Sequence, residues 1–424
     1  MVKEQDLRGK KQVIVVGGGF AGLQLVRNLD KRLFNVLLID KINHHQFQPL
    51  FYQVATSQIE PASISFPFRN IFKSRSHIQI RMTEMLQVNP EEQTITTTIG
   101  DFPYDYLVLA TGCRTNYFGN ANIKKNAFSL KTTYQSITIR NHILTTFEKV
   151  IAAPREDRER MLNLTIVGAG PTGVELAGAF SEIKKEILPK DYHDIDLSKF
   201  TIRLVEGSNH VLNNMSKASG QTAEKYLKKM GVVLLKNTFV KDYDGENLTL
   251  SSGETIKSAT VIWAAGVTGR ETRGIPAESI ARGNRIIVNR QNKIRGFDNI
   301  FAVGDIAYME TPDYPNGHPQ VANVAINQAK LLARNLKQSE QGKPVTDYKY
   351  KDLGSMATIG RNKAVVDLPF IRFKGYFAWL VWMFLHLMLI LSVRNRLIIF
   401  INWAWLYVTK NTSLRLILTS GKNI

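Results

Sequence analysis

The chain has 424 residues, 44% of them hydrophobic, with one cysteine and a formal net charge of +19. That length calls for two or three domains with large cores. A single cysteine excludes an internal disulfide and a redox-active cysteine pair and fits a reducing compartment. The charge points to an anionic partner surface. No nucleic-acid-binding motif is present and the basic residues are spread along the chain, so a negatively charged membrane face fits better than nucleic acid.

In chain order, residues 1–11 are charged and run straight into an apolar stretch, 12–16 (QVIVV), so no secretory signal is expected. That stretch reads as a buried parallel strand. It is followed by Gly17-Gly18-Gly19-Phe20-Ala21-Gly22 and a helical pattern over 23–29. The same arrangement recurs after a second strand, 164–167, as Gly168-Ala169-Gly170-Pro171-Thr172-Gly173 with a helix over 174–187. One glycine fingerprint is a weak signal, but two with strand and helix in the right places predict two bound dinucleotides. The tight turn, the close approach to a pyrophosphate and the helix–strand packing each need a residue without a Cβ, and the helix N-terminus supplies N–H groups to phosphate.

A carboxylate at the end of the next strand can accept hydrogen bonds from ribose hydroxyls. Strand 35–39 ends at Asp40, about two dozen residues after Gly17, and strand 201–205 ends at Glu206, delayed by a polar segment over 187–200. Glu206 would repel a 2′-phosphate, which predicts a preference for NADH over NADPH. The histidines in His44-His45-Gln46-Phe47-Gln48-Pro49-Leu50 have no Cys or carboxylate at ligand spacing, so loop packing and no metal are expected. Strand 106–110 leads into Thr111-Gly112, strand 260–264 into Ala265-Gly266, and strand 300–303 into Gly304-Asp305, where an acid can bind the ribityl or pyrophosphate part of a flavin nucleotide. Because that last strand belongs with the first nucleotide, the second unit is expected to be inserted into the first. A hairpin is expected around Asp244-Gly245, and Cys113 is expected to be a packing residue.

From residue 368 to the end there is no acidic residue, whereas Arg372, Lys374, Arg394, Arg396, Lys410, Arg415 and Lys422 are basic. Between them lie two apolar segments, 375–393 and 397–408, carrying Trp379, Trp382, Trp403 and Trp405. The first, about 19 residues, makes roughly 28 Å of helix against about 30 Å of hydrocarbon, so a span is just within reach. The interleaved Trp, Tyr and Arg and the midway His386 favour helices lodged in the membrane interface; a buried dimer core is the third reading.

These residues resemble the type II NADH dehydrogenases, single-subunit NADH:quinone oxidoreductases of the two-dinucleotide-binding-domain flavoprotein superfamily. The resemblance covers nearly the whole chain: both fingerprints, the second extended through Glu175 to Gly178, His45 to Leu50, Ala110-Thr111-Gly112, Gly304-Asp305 and the C-terminal region. It implies an α/β fold of two Rossmann-like domains plus a C-terminal amphipathic and apolar helical membrane-anchoring region. The FAD domain would be 1–120 and 291–345, the inserted NADH domain 121–290, and the membrane-association region 346–424.

By the same resemblance FAD is held by Gly17, Gly19, Gly22, Asp40, Pro49, Leu50, Ala110, Thr111, Gly112, Gly304, Asp305 and Ala322, and NADH by Gly168, Gly170, Gly173, Glu206, Ala265 and Gly266. NADH passes a hydride to FAD, which reduces a quinone (ubiquinone or menaquinone). Glu175 is implicated in proton delivery; on residue grounds alone it sits in a first helical turn, where a carboxylate is favoured by the dipole, so a structural role stays open. The family's Ala-Gln-x-Ala-x-Gln quinone motif appears as Ala322-Asn323-Val324-Ala325-Ile326-Asn327 followed by Gln328. Both glutamines are replaced by asparagine, which is one methylene shorter, so Asn323, Asn327 and Gln328 mark the expected pocket while their individual bonds stay open, as does a role in packing a helix that begins near Val321. The expected location is peripheral, monotopic, on the cytoplasmic face of the inner or cell membrane. Electron transfer without proton pumping is expected, and a homodimer is plausible. Competing readings are an NADH-dependent reductase of an iron–sulfur protein, which needs no Trp-rich tail, a sulfide:quinone oxidoreductase, which needs redox cysteines, and a flavin-bound membrane sensor.

Overall fold

The computed structural model describes residues 9–412 and 414–417; most of the charged lead and Lys422 lie outside the described residues. The chain forms two compact units whose segments interleave in sequence. The first takes the described residues of Met1–His45 together with Phe66–Arg114 and Val267–Asp352, and the second takes Gln46–Ser65, Thr115–Gly266 and the described residues of Leu353–Ile424.

At the centre of the first unit is a parallel sheet in the spatial order Ile300–Ala302, Tyr106–Leu109, Lys11–Val16, Phe34–Asp40, Ile78–Met82. Val13 to Val15, Leu107 to Leu109 and Ile300 are fully or almost fully buried, as expected of strands covered on both faces. The fingerprint helix Phe20–Asn28 packs against Ala322–Glu340, which begins one residue past Val321. An antiparallel sheet of Met85–Asn89, Thr94–Thr97 and Gly100–Pro103 completes the core, with Val88 and Ile95 facing Ile14, Ile300 and Ile306 in one apolar cluster.

The second unit repeats the plan. Its parallel sheet runs Phe128–Ser129, Thr260–Trp263, Asn163–Val167, Thr201–Val205, Val233–Leu235. The expected hairpin is present as Val240–Tyr243 against Asn247–Leu250. The fingerprint helix spans Pro171–Glu186, its proline at the first helical position where no N–H is missed.

The described residues of 353–417 belong to this second unit: strands Ser355–Thr358, Ala364–Asp367 and Arg372–Lys374 form an antiparallel sheet, the first of them packed on Pro171–Glu186. The apolar tail is two helices, Tyr376–Leu389 and Val393–Thr409. The single helix considered for 375–393 is therefore corrected: it stops at Leu389. The break is built in, because Arg396 donates from Nε to the Ile390 carbonyl at 2.8 Å and from Nη2 to the Met388 carbonyl at 2.9 Å, capping the end of the first helix. A helix of 14 residues is about 21 Å long, well short of about 30 Å of hydrocarbon. Among the described residues no helix is long and apolar enough to cross a membrane.

Candidate active site

The two fingerprints fold into cradles with matching backbone angles and close contacts. Gly17 and Gly168 take φ of +104° and +100°, and a Cβ on either would strike the backbone of the neighbouring strand end, 2.3 Å from the Ala110 oxygen or 2.7 Å from the Ala264 carbonyl. A Cβ on Gly22 or Gly173 would stand 1.8 or 1.9 Å from the carbonyl oxygen of the first glycine. The middle glycines are different: nothing lies within 4 Å of a Cβ on Gly19 or Gly170. These two positions face open space at the start of helices with no side-chain N-cap bond. The N–H groups there are left for an external anion, as a pyrophosphate requires.

Both strand-end acids brace their turns. Asp40 accepts from the Gly18 N–H at 2.6 Å and the Ile42 N–H at 3.0 Å. Burial raises its carboxyl above the ordinary range, with the Gly18 and Ile42 bonds acting the other way. Glu206 accepts from the equivalent Ala169 N–H at 2.7 Å and from Ser208.

Within the first unit the other candidates for flavin also lie close to the cradle. Ala110 donates to the Val16 carbonyl at 2.8 Å. Thr111 leaves its buried hydroxyl oxygen without a partner, an orphan that a flavin nucleotide can satisfy. Gly112 and Gly304 have positive φ, +62° and +76°. Asp305 follows in the turn Gly304–Ile306, and Ala322 opens its helix. These residues fit a dinucleotide. His45 is buried with Nδ1 3.0 Å from the Gly18 carbonyl oxygen and its ring edge-on to Phe20, so it supports the cradle. Cys113 lies half-buried, 2.9 Å from the Gln320 amide nitrogen. Pro49 and Leu50 fall instead in the second unit, in the turn Gln48–Leu50, with Leu50 fully buried.

The quinone-motif amides are engaged. Gln328, buried, accepts the Gly304 N–H at 2.8 Å; Asn327 Nδ2 donates to the side-chain Oδ1 of Asn323 at 2.7 Å, and Asn323 Nδ2 donates to the Lys351 backbone carbonyl at 3.0 Å. Gln328 thereby holds the Gly304-Asp305 turn.

Two clefts of the second unit are lined by candidate residues. One, of about 1350 Å³, is lined by Gly168, Gly170, Glu206, Ala265 and Gly266 together with Asn213, Thr238 and Phe239, which sequence reading missed. Gly173 lies behind it, against Gly168 and Leu204. The other, of about 780 Å³, has mostly apolar walls and opens between the fingerprint helix, the segment around Tyr52 and the two tail helices. Glu175 lies in it, 9% exposed. Burial pushes its carboxyl well above the ordinary carboxylate range, opposed only by the Thr358 backbone N–H. Beside it Tyr52, also buried, has its hydroxyl pushed up by burial and then by the charge of Glu175. Trp382 closes the wall, fully buried, stacked on His386 at 4.0 Å, with its indole N–H lacking any acceptor. Trp403 donates to Gln53 at 2.8 Å. Tyr52, Gln53, Trp382 and Trp403 were invisible as site residues in the sequence, since only the fold brings these distant segments together.

A Pyridine nucleotide-disulphide oxidoreductase family model matches residues 11–329, and an NDH2 C-terminal domain model matches residues 353–410. The chain is 32% identical to the type II NADH:quinone oxidoreductase Ndh of Mycobacterium tuberculosis over 410 residues, covering 93% of this chain and 87% of the relative. The chain belongs to the type II NADH:quinone oxidoreductases. A Staphylococcus aureus member is 27% identical over 87% of this chain and 93% of its own. A solved structure of NDH2 from Plasmodium falciparum in complex with NADH has the same fold, with a TM-score of 0.88 at 21% identity, covering 97% of this chain and 100% of that one. The NDH2 C-terminal domain match, residues 353–410, takes in the tail sheet and both tail helices.

Proposed function

We propose that the chain is an FAD-dependent NADH:quinone oxidoreductase in which the quinone head enters the apolar cleft beside Glu175. FAD and NADH are its two dinucleotides, and it works at a membrane without pumping protons. The flavin, when bound, supplies the hydride and electron chemistry. The first fingerprint with Asp40, Thr111, Gly304 and Asp305 holds FAD, and the second with Glu206, Ala265 and Gly266 holds NADH. We assign 1–120 and 291–345 to FAD, 121–290 to NADH and 346–424 to membrane association, whereas the compact units divide after Arg114, Gly266 and Asp352.

The observation that carries the quinone assignment is the pairing of a buried carboxyl with an orphan donor in one apolar cleft. NADH + H⁺ + quinone gives NAD⁺ + quinol, so the hydride brings one of the two hydrogens and water must supply the other. A carboxyl whose burial favours its protonated form can deliver that proton to a quinone oxygen. The Trp382 N–H, costly to bury unpaired, gains an acceptor when a quinone carbonyl binds. The walls of Trp379, Trp403 and Leu406 exclude water and suit an apolar ring. The engaged amides of Asn323, Asn327 and Gln328 support a role in positioning the Gly304-Asp305 turn rather than in direct contact with quinone.

The membrane-facing surface is supplied by the tail. Phe370, Phe377, Phe384, Val393, Leu397, Ile401 and Val408 are all more than half exposed, and Arg372, Lys374 and Arg394 flank them. So large an apolar patch with a basic rim fits an anionic lipid interface, and we assign it to lipid at the cytoplasmic face in preference to a second copy of the chain. Alkaline carbonate without detergent is expected to release the protein from membranes. The enzymatic reading is tested by anaerobic stopped flow: NADH bleaches the flavin and a short-chain quinone restores its colour. Failure of quinone to restore it overturns the reading.

A further inference from the structure

The cleft holds more acid than one proton donor requires. Glu175, Glu182 and Glu186 all line it, and all come from the helix Pro171–Glu186. Steps of seven and four residues keep them on one face of the helix, with rises of about 10 Å and about 6 Å between them. They also form a gradient from inside to outside. Glu175 is buried, Glu182 accepts from the Arg361 N–H and keeps some accessible surface, and Glu186 stands 24% exposed with Arg361 at 3.8 Å and Lys410 at 3.5 Å.

Tyr52 lines the same cleft. Its helix, Phe51–Ala55, packs on Pro171–Glu186, and its hydroxyl feels the charges of both Glu175 and Glu182. The hydrogen-bond order around it is fixed. Trp403 has only a donor and occupies the Gln53 carbonyl oxygen at 2.8 Å, so Gln53 turns its amide nitrogen to Tyr52, donating to the hydroxyl oxygen at 2.9 Å. The phenol's own hydrogen is not used in that bond, and a neighbouring carboxylate can take it.

Resting on the quinone reading above, we propose that Glu182 is a proton relay, loaded from water at the charged mouth formed by Glu186, Arg361 and Lys410 and discharging through Tyr52 to Glu175. In each turnover Glu175 loses its O–H proton to a quinone oxygen. Tyr52 then gives its proton to the Glu175 carboxylate while taking the proton of Glu182, and Glu182 is reprotonated from water. Each group returns to its starting state, and one water-derived proton has moved per quinol. The electrons arrive separately with the hydride of NADH. The groups facing Glu182 are Arg361 and Lys363 from the loop after Ser355–Thr358, Glu186 from its own helix and Tyr52 from Phe51–Ala55. Burial raises its carboxyl, and the Arg361 N–H and the two cations oppose this.

The test is Glu182→Gln in the full-length, flavin-loaded protein, since a glutamine oxygen can still accept the Arg361 N–H. NADH is expected to bleach the flavin at the wild-type rate, while quinone-driven recovery slows about 100-fold, most at high pH, and is restored by millimolar formate or acetate. A second readout needs no turnover: the infrared band of the buried protonated carboxyl, assigned by its loss in Glu175→Gln, exchanges with D₂O more slowly in Glu182→Gln than in wild type. Wild-type recovery and exchange in Glu182→Gln overturn the relay, as does a slowed recovery with unchanged exchange and no rescue. Wild-type protein that quinone cannot reoxidise instead overturns the quinone reading itself.

Discussion

The two fingerprint helices begin alike and end differently. Their first glycines share φ near +100°, their third glycines meet the same carbonyl, and the strand-end acids reach the same N–H at 2.6 and 2.7 Å. Two residues beyond the third glycine they part: the first helix has Gln24, partly exposed within reach of Asn28, and the second has Glu175, buried in an apolar cleft. A cradle for a dinucleotide therefore fixes only the first turn of its helix. The next turn is free to take on chemistry, and in the second unit it meets Thr358, Tyr52 and the tail helices.

The largest effects come from filling the cradles. Gly22→Val places a side chain on the Gly17 carbonyl and is expected to yield protein that purifies without its yellow flavin spectrum. Gly173→Val, its counterpart, is expected to keep the flavin but bind NADH about 100-fold more weakly, from about 3 kcal/mol of overpacking. If both variants lost flavin alike, the assignment of one nucleotide to each cradle would fail.

Next comes the position at which the helices differ. Glu175→Gln is expected to slow quinone-driven flavin recovery by about 100-fold while leaving bleaching by NADH intact, whereas Gln24→Glu changes either rate less than about 3-fold. The sign with pH follows from the raised carboxyl of Glu175: the protonated form donates, so wild-type recovery falls as pH rises through that raised value, and Glu175→Gln loses this limb. Smaller again is the ribose carboxylate. Glu206→Gln removes the charge that repels a 2′-phosphate and is expected to narrow the preference for NADH over NADPH by about 10-fold in kcat/KM. Trp382→Phe, which removes only the orphan N–H, should raise the quinone KM about 3- to 10-fold.

The cradles were legible in the sequence because their constraint is local. A glycine at φ near +100° and a carboxylate one strand later are demanded by a turn of a few residues, and the turn looks the same wherever it occurs. The cleft was not legible in the same way. Tyr52, Glu175, Trp382 and Trp403 are separated by tens to hundreds of residues, and nothing in the run Phe51–Ala55 announces that it folds with the second unit. Trp382 and Trp403 read equally well as interfacial anchors, and only the capping of the Met388 and Ile390 carbonyls by Arg396 turns the tail back so that both indoles line a wall. The asparagines at 323 and 327 show the converse: the motif marked a place of importance, while the hydrogen bonds inside it answer to Lys351 and to each other.

The claim that one helix carries both the NADH cradle and the proton donor to quinone is tested most directly by anaerobic double-mixing stopped flow on wild type and Glu175→Gln. Each is first bleached by one equivalent of NADH and then mixed with a short-chain quinone over a range of pH. The account predicts equal bleaching in both, fast recovery in wild type that declines at high pH, and slow, pH-independent recovery in the variant. Equal recovery in the two proteins at every pH would contradict it.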